Sequence, residues 1–222
     1  MTKIIDTPTY TLHQGDAPIL ISVPHVGTLL PSELTGNFNE EAFQLADTDW
    51  HLDRLYAVAK SLGASLLCAK VSRYAIDLNR PSTGESLYPG QTTTGLCPTT
   101  TFKGAPLYKD GHEPSATEIQ RRVDTYWRPY HDTLKAELAR LRGQHAEVLL
   151  WEAHSIASVL PRLFEGKLPD LNFGNNNGAA CAPALLAAVV APLAQQSTVT
   201  HVVNGRFKGG FITRHFGQPT QG

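Results

Sequence analysis

The sequence predicts an α/β fold, in which helices cover both faces of a sheet. Short apolar runs typical of strands alternate along the chain with longer segments of helical periodicity. The chain has 222 residues, of which 41% are hydrophobic, and this is enough to bury a large core. No internal repeat or linker interrupts it. We therefore predict one domain, residues 1–222, with a mixed, mostly parallel sheet flanked by helices.

Two of the predicted strands lead to a histidine. Residues 17–25 form an apolar run that a proline stops and Gly27 follows, which is typical of a buried strand entering a loop. Residues 147–152 have the same character and lead to His154. Because ligands bind beyond the carboxyl ends of strands in such sheets, we expect His25 and His154 to lie at the binding edge.

The remaining elements are predicted from apolar periodicity and capping residues. A helix is expected between Asn39, a good N-cap, and Gly63, a good C-terminal cap. A capping box that begins at Ser115 precedes a long helix ending at Gly143, which Pro129 should kink or split. Further strands are predicted at 64–71, 74–78 and 198–203, a buried helix at 183–193, and irregular loops at 88–113 and 209–217.

The overall composition excludes several classes of protein. Nineteen Lys and Arg face twenty Asp and Glu, so the formal charge of -1 indicates neither nucleic acid nor an acidic membrane surface as a partner. No apolar stretch is long enough for a membrane span, and the N-terminus lacks the apolar core of a leader, so we predict a cytoplasmic protein. Three widely spaced cysteines indicate neither disulfides nor a thiolate zinc site. Nothing in the sequence indicates an oligomeric state.

The two histidines are candidate metal ligands. A catalytic zinc site typically uses three nitrogen or oxygen ligands and leaves a fourth position open. His25 and His154 supply two such ligands, and a nearby acidic cluster offers a carboxylate. The alternative is that these acids form the solvent face of a helix and that each histidine is simply hydrogen-bonded at a strand end. The further candidates in the cluster are Asp47, Asp49, Asp53 and, more weakly, His51.

Two arginines are candidates for binding an anionic substrate. A guanidinium offers paired donors that match a carboxylate, so an arginine beside a metal can anchor the charged end of a substrate. Arg80 is the stronger candidate, because the neighbouring Asn79 adds an amide donor. Arg73 could instead pair with Asp77 or Glu85 for purely structural reasons.

Other chemistries have weaker support. Ser155 lacks the G-x-S-x-G surroundings of a serine hydrolase nucleophile, and no glycine-rich segment ends in the Lys-Ser/Thr pair of a phosphate loop. Arg214 lies among glycines, where backbone can approach a ligand closely. Glu152 is two residues before His154, on the same face of the predicted strand. The sequence thus favours a metal-dependent hydrolase acting on a small anionic molecule.

Six separated segments carry a family resemblance. Together they resemble, in order, the N-formylglutamate amidohydrolases, and the similarity runs from about Pro18 to the last residue. Asp-Leu-Asn-Arg by itself also occurs in zinc carboxypeptidases and aspartoacylase-type deacylases, so the series of segments is the more specific signal. The segments are residues 22–27, 47–56, 71–81, 154–156, 163–170 and 209–217.

The resemblance implies metal-assisted hydrolysis of N-formyl-L-glutamate to formate and L-glutamate in histidine degradation, on a zinc-carboxypeptidase-like α/β fold. His25 and His154 match the family's metal-ligand positions. Carboxypeptidase relatives have their third ligand, a Glu, three residues after the first His, but Thr28 stands at that position here. The third ligand is therefore assigned to Asp49, with Asp47 as its main rival. The metal is expected to be divalent, with zinc first and cobalt or another ion as alternatives. The implied substrate-binding residues are Arg80, Asn79, Arg73 and Arg214.

The sequence departs from the family pattern at two places. Ala157 stands where the family often has Arg. Relatives also continue into a strand with a Gln-Leu-Glu motif whose Glu is the expected general base, whereas this chain stops at Gly222. Glu152 is a weak substitute for that base, and a role in orienting His154 is easier to defend. The alternatives are a related metallo-amidase or carboxypeptidase with another acyl-amino acid substrate, and a truncated, non-catalytic form that binds metal or amino acids.

Overall fold

The computed structural model describes residues 3–86, 90 and 92–220. The chain divides into two compact units, with the boundary after Ile156. The organisation of residues 1–222 as one domain therefore remains a prediction. Within the described residues, none of the helices combines the length and the apolar character needed to cross a bilayer.

The first unit is built on a five-stranded mixed sheet with the order β1-β2-β4-β3-β5. Strand β3 pairs in parallel with β4 and β5, whereas β2 pairs antiparallel with β1 and β4. The mixed α/β architecture is as predicted, but parallel pairs do not predominate in this sheet. The first two strands add an N-terminal antiparallel pair that we did not predict. The strands are β1 (Lys3–Asp6), β2 (Tyr10–Gln14), β3 (Ile19–Val23), β4 (Ser65–Ala69) and β5 (Leu149–Glu152).

Short helices cover one face of this sheet. Ile21 of β3 and Leu66 of β4 point to this face and pack with Leu52 and Ala59 from the helices. Full burial of aliphatic side chains of this size contributes about 1.5–3 kcal/mol each. The helical elements between β3 and β4 are α1 (Ser32–Thr35), a 3₁₀ turn (Glu40–Gln44), α2 (Leu52–Leu55) and α3 (Val58–Ser61).

A long helical segment packs on the opposite face. The Tyr130 hydroxyl is 2.9 Å from the Ser22 hydroxyl, and the Ser65 hydroxyl donates to Glu137 at 2.6 Å. Ser22 and Ser65 alternate along β3 and β4 with the apolar residues of the first face, as strand geometry requires. Helices therefore cover both faces, as predicted. This segment comprises α4 (Ala116–Arg122), a π-helical turn (Val123–Trp127) and α5 (Arg128–Arg142).

The predicted ends of this long helix are confirmed. The Ser115 hydroxyl accepts a hydrogen bond from the Glu118 amide at 3.2 Å. The helix is not split at Pro129. The chain stays helical from Ala116 to Arg142, with a π-helical turn at Val123–Trp127 just before this proline, which lies in the first turn of α5. Gly143 follows the last helical residue.

The predicted continuous helix from Asn39 to Gly63 is wrong. Asn39 does cap a helical turn, since its side chain accepts from the Glu41 amide at 3.0 Å. However, Leu45 (φ 51°) and His51 (φ 66°) adopt the left-handed conformation, which ends a helix. The apolar residues of three short helical pieces together have the spacing of one continuous helix, whereas residues 46–50 between them form turns and a bend.

The predicted strand at 74–78 is also wrong. These residues form turns, although all of them are buried. The turn places Tyr74 and Ile76 in the core without a neighbouring strand, so their apolar character alone was misleading. Tyr88, in the predicted loop 88–113, lies outside the described residues. The described part of that loop contains only isolated bridges and no regular helix or strand, as predicted.

The second unit contains a small parallel pair of strands and short helices. Its last strand confirms the strand predicted at 198–203, and a helix is present at 183–193 as predicted. The predicted burial of that helix and the predicted loop at 209–217 are wrong. The helix predicted at 183–193 is present without a buried residue, so its apolar composition does not mark a core position. The predicted loop at 209–217 contains a helix, which lies between Gly210 and Gly217 and has Ile212 as its buried residue. The elements are β6 (Leu171–Phe173), β7 (His201–Val203), α6 (Pro183–Val190), α7 (Phe211–Phe216) and 3₁₀ turns at Asn176–Gly178 and Ala191–Gln195.

Candidate metal centre

The carboxyl ends of three parallel strands deliver the candidate residues. His25 is two residues beyond β3, and His154 is two residues beyond β5. The segment 71–80 follows β4. Strand β3 lies between β4 and β5 and pairs in parallel with both. Because parallel strands end at the same sheet edge, these three segments meet there.

Three side chains meet at this edge in an arrangement that could hold a metal ion. One potential ligand atom from each of His25, Asp49 and His154 lies within 4.8 Å of the others. Asp49 Oδ2 is 2.9 Å from His154 Nδ1 and 3.8 Å from His25 Nδ1. The Asp49 amide also donates to the His25 carbonyl at 2.9 Å, which ties the two ligand segments together. Two imidazoles and one carboxylate are a donor set that suits zinc and similar divalent ions.

The His25 side of the site is buried and charge-compensated. His25 Nε2 is 2.7 Å from Asp77 Oδ1, and Arg73 donates to the other Asp77 oxygen at 2.6 Å. The Asp77 carboxylate accepts the Nε2 hydrogen, so Nδ1 carries the lone pair. Arg73 Nη1 lies 3.4 Å from Nδ1, and Asp49 Oδ2 lies 3.8 Å from it. Sequence reasoning considered Asp77 only as a structural partner of Arg73 and missed its contact with His25. The available signal was its position two residues before Asn79 in the Asp-Leu-Asn-Arg segment.

Burial and charge determine the protonation of this pair. Burial lowers the pKa of His25, and the charge of Arg73 lowers it further, so the imidazole is held neutral as a metal ligand must be. Burial raises the pKa of Asp77, but its interactions with His25 and Arg73 outweigh burial and hold the pKa well below its usual value. Asp77 is therefore an ionised hydrogen-bond acceptor.

The His154 side of the site is more open. The His154 side chain is 35% exposed, and its Nε2 atom is 3.0 Å from both Glu152 Oε1 and the Asn79 amide nitrogen. Partial desolvation lowers the pKa of His154, but the carboxylates of Glu152 and Asp49 raise it to about 10. Without a metal, His154 is thus an imidazolium between two carboxylates, and a bound cation would replace its proton.

The rival carboxylates lie outside this group. Asp47 is buried, and its Oδ2 accepts from the Phe102 amide at 2.7 Å, while burial raises its pKa. His51 precedes the first residue of α2, and both His51 and Asp53 are exposed. Among the described residues, the potential metal-binding group contains Asp49 and none of these three.

The candidate anion-binding residues have different surroundings. Arg80 is half-buried, and it donates to the carbonyls of Thr94 and Asn79 at 3.0 Å each. Arg73 is buried, lies 4.6 Å over the Phe102 ring and pairs with Asp77, as the structural alternative predicted. Arg214, in the second unit, donates to the Gly209 carbonyl at 3.0 Å. The roles of all three in substrate binding remain predictions.

Comparison with protein families agrees with the sequence segments. A family model described as N-formylglutamate amidohydrolase matches residues 17–222. The chain belongs to this family. The family membership predicted from the six segments is therefore confirmed.

Individual members of the N-formylglutamate amidohydrolase family are close to this chain. It is 51% identical over 211 residues to the N-formylglutamate deformylase of Pseudomonas putida, covering 95% of this chain and 79% of that protein. It is 53% identical over 208 residues to the N-formylglutamate deformylase of Pseudomonas aeruginosa, covering 94% and 78%. The crystal structure of N-formylglutamate amidohydrolase from Ralstonia eutropha JMP134 has a TM-score of 0.82 at 24% identity, covering 97% and 83%, which supports the fold.

Proposed function

We propose that this family member hydrolyses N-formyl-L-glutamate to formate and L-glutamate with the help of a divalent metal, zinc being the first candidate. The observation that carries the proposal is the convergence of His25, Asp49 and His154 within 4.8 Å at the sheet edge. The substrate is supported by the names of the two Pseudomonas relatives, which are more than half identical to this chain.

The proposed metal ligands are the Nδ1 atoms of both histidines and the carboxylate of Asp49. Both Nε2 atoms are occupied by other carboxylates, those of Asp77 and Glu152. Such partners fix the ring orientation and strengthen the ligands. When bound, the metal would polarise the formyl carbonyl and lower the pKa of water from about 16 to roughly 7.

The chain's own residues bind and orient the substrate. N-formylglutamate carries two carboxylates, and Arg80 is the proposed anchor for one of them, assisted by the amide of Asn79. Asn79 Nδ2 is 3.0 Å from His154 Nε2, so this anchor lies beside the proposed metal ligands. Arg73 and Arg214 are proposed as further contributors to carboxylate binding.

Hydrolysis breaks the formyl C–N bond and forms a C–O bond with the oxygen of water. One proton of the water must reach the departing amine, and the formic acid product ionises to formate. Glu152 Oε1 lies 3.0 Å from His154 Nε2 and accepts its hydrogen, so we assign Glu152 chiefly to positioning this ligand. It is the weaker candidate for the base that moves the proton.

The sequence adds three finer predictions to this proposal. They are a zinc-carboxypeptidase-like arrangement of the fold, a cytoplasmic location, and a role in histidine degradation. Two alternatives would leave the same residues at the sheet edge. In the first, the substrate is a related acyl-amino acid. In the second, the protein binds its ligand without hydrolysing it.

The proposal is tested by metal content and formate release with the 222-residue chain, purified without added metal. We expect about one divalent ion per chain and faster formate release from N-formyl-L-glutamate than from N-formyl-L-aspartate. N-acetyl-L-glutamate, which releases acetate, and short peptides should react more slowly still. Reloading a chelated sample with zinc or cobalt then compares the two ions.

The alternatives give different results in the same assay. Faster turnover of another acyl-amino acid would replace the proposed substrate while keeping the amidase chemistry. Bound metal and glutamate binding without formate release would indicate the non-catalytic form. Protein that binds no metal under any loading condition would overturn the proposed centre.

A further inference from the structure

The segment that carries the proposed carboxylate anchor has no strand to hold it. Asn79 and Arg80 lie in a turn, so their side chains can be aimed only if other groups fix the backbone around them. Asp77 provides part of this support, since its Oδ1 accepts from the Asn79 amide at 2.9 Å. The carbonyls on either side of Asn79 are held from elsewhere.

Two aromatic side chains of the long helical segment hold these carbonyls. Trp127 Nε1 donates to the Arg80 carbonyl at 2.9 Å, and His131 Nε2 donates to the Leu78 carbonyl at 2.9 Å. Because a carbonyl oxygen can only accept, His131 must carry its hydrogen on Nε2. The two donors therefore bracket Asn79 along the chain.

The two rings also form one rigid unit. Their centroids are 3.7 Å apart with planes inclined by 21°, and His131 is buried. Trp127 is the last residue of the π-helical turn and His131 lies in the first turns of α5, one helical turn later. A π turn changes which side chains share a helix face, and such turns are frequent at functional sites. Here the two donors face the same segment.

We propose that Trp127 and His131 are positioning residues for the substrate carboxylate, acting through Asn79 and Arg80. The inference rests on the proposed function, in which Arg80 anchors the carboxylate. The two donors fix the Leu78–Asn79 and Arg80–Pro81 peptide groups, one before Asn79 and one after Arg80, so the Arg80 guanidinium and the Asn79 amide keep their direction towards the substrate. Preorganisation of this kind lowers the cost of binding, because the anchor need not be ordered by the substrate.

The main test replaces each donor while keeping its ring. Trp127→Phe and His131→Phe retain an aromatic ring for stacking but lose the N–H group. We expect each to raise KM for N-formyl-L-glutamate by about 3- to 10-fold, as for the loss of one neutral hydrogen bond. The value of kcat should change by less than about twofold, and metal content should not change. His131→Gln, whose amide can again donate, should restore much of the original KM.

A matched control removes another indole N–H from the same unit. Trp151 donates from Nε1 to the Tyr56 hydroxyl at 3.0 Å, and this hydrogen bond involves neither Asn79 nor Arg80. Trp151→Phe should therefore leave KM unchanged. Equal increases in KM for Trp127→Phe and Trp151→Phe would indicate a general loss of packing and overturn the inference.

A double-mutant cycle connects the effect to the anchor. In an Arg80→Ala background, Trp127→Phe should change kcat/KM by less than about twofold, because the group that it positions is gone. An undiminished effect in that background would overturn the positioning role. If Arg80→Ala raises KM but Trp127→Phe does not, the inference fails and the proposed function stands. If the unmodified chain releases no formate, the proposed function itself fails.

Discussion

The two histidines of the candidate centre have contrasting surroundings. His25 lies with Arg73 and Asp77 in a buried, charge-compensated region after β3 and β4. His154 lies after β5 with Glu152, and its side chain is about one-third exposed. Burial lowers the pKa of the first histidine, while neighbouring carboxylates raise the pKa of the second to about 10.

This difference indicates a division of tasks between the two regions. The buried region is held by a chain of short polar contacts, so it can serve as the rigid base of the site. The open region gives solvent access to a ligand that must lose a proton before it binds metal. Asp49 joins the two, because its Oδ2 faces the Nδ1 atoms of both histidines.

Asp49→Asn should have the largest effect, because it removes the charge shared by both regions. We expect the metal content to fall below about one-tenth per chain and kcat/KM to fall at least about 10³-fold. Metal analysis and formate release measure the two effects. Asp47→Asn is the matched control, since Asp47 is also buried but accepts from the Phe102 amide. If Asp47→Asn loses the metal while Asp49→Asn keeps it, the assignment of the third ligand is wrong.

Asp77→Asn should have the largest effect on stability. It removes the closest partner of the buried Arg73 guanidinium and leaves Asp49, 3.9 Å away, as a more distant one. Breaking a buried ion pair in this way typically costs about 3–5 kcal/mol. Urea unfolding of the metal-free protein measures the loss. Asp6→Asn is the control, because it breaks an ion pair with Lys70 at the surface, where a pair contributes only about 0–1 kcal/mol. Equal losses for the two variants would contradict a rigid, charge-compensated base.

Glu152→Gln should affect metal binding more than stability. The amide can still contact His154, but it no longer favours the Nε2 hydrogen as strongly, so metal affinity should fall by about 10- to 100-fold. Competition with a chelator of known affinity measures this change. Glu147→Gln, at an exposed position shortly before β5, should leave the affinity unchanged. Unchanged affinity for Glu152→Gln would separate Glu152 from the ligand sphere.

The sequence was most informative where a segment had a simple period and a clear boundary. The strands that deliver His25 and His154 were predicted because each is a short apolar run that ends at a polar loop. The capping box at Ser115 was predicted because its hydrogen bond depends on residues only three positions apart. Local patterns therefore predicted the positions of two candidate ligands.

The failures arose where tertiary contacts override local patterns. Leu45 and His51 adopt left-handed conformations that ordinary helical periodicity does not indicate, so the turn that presents Asp49 was read as helix. The contact between Asp77 and His25 spans 52 positions along the chain and depends on the order of β3 and β4 in the sheet. A single sequence without that order could not show that the two meet.

The smallest expected effect separates the two histidines by the pH dependence of stability in the metal-free protein. His25 has an ordinary pKa of about 6.5 in the unfolded chain and a lowered pKa in the folded chain. Below about pH 6.5 the unfolded chain therefore binds more protons at this residue than the folded chain does, and stability falls as the pH decreases. The raised pKa of His154 means that the folded chain binds more protons above 6.5. Its contribution is therefore complete below about 6.5 and is lost as pH rises towards about 10.

Substituting each histidine should remove one side of this pH profile. In a chelator, urea unfolding of His154→Gln should show a weaker fall in stability between about pH 6.5 and 10, while His25→Gln should show a weaker fall below about pH 6.5. His201→Gln, at an exposed position of β7, should leave both sides unchanged. Each histidine changes the slope by at most about one proton, so full curves are needed. Parallel curves for His25→Gln and His154→Gln would show that the two regions do not differ in protonation, and the contrast between them would then rest on burial alone.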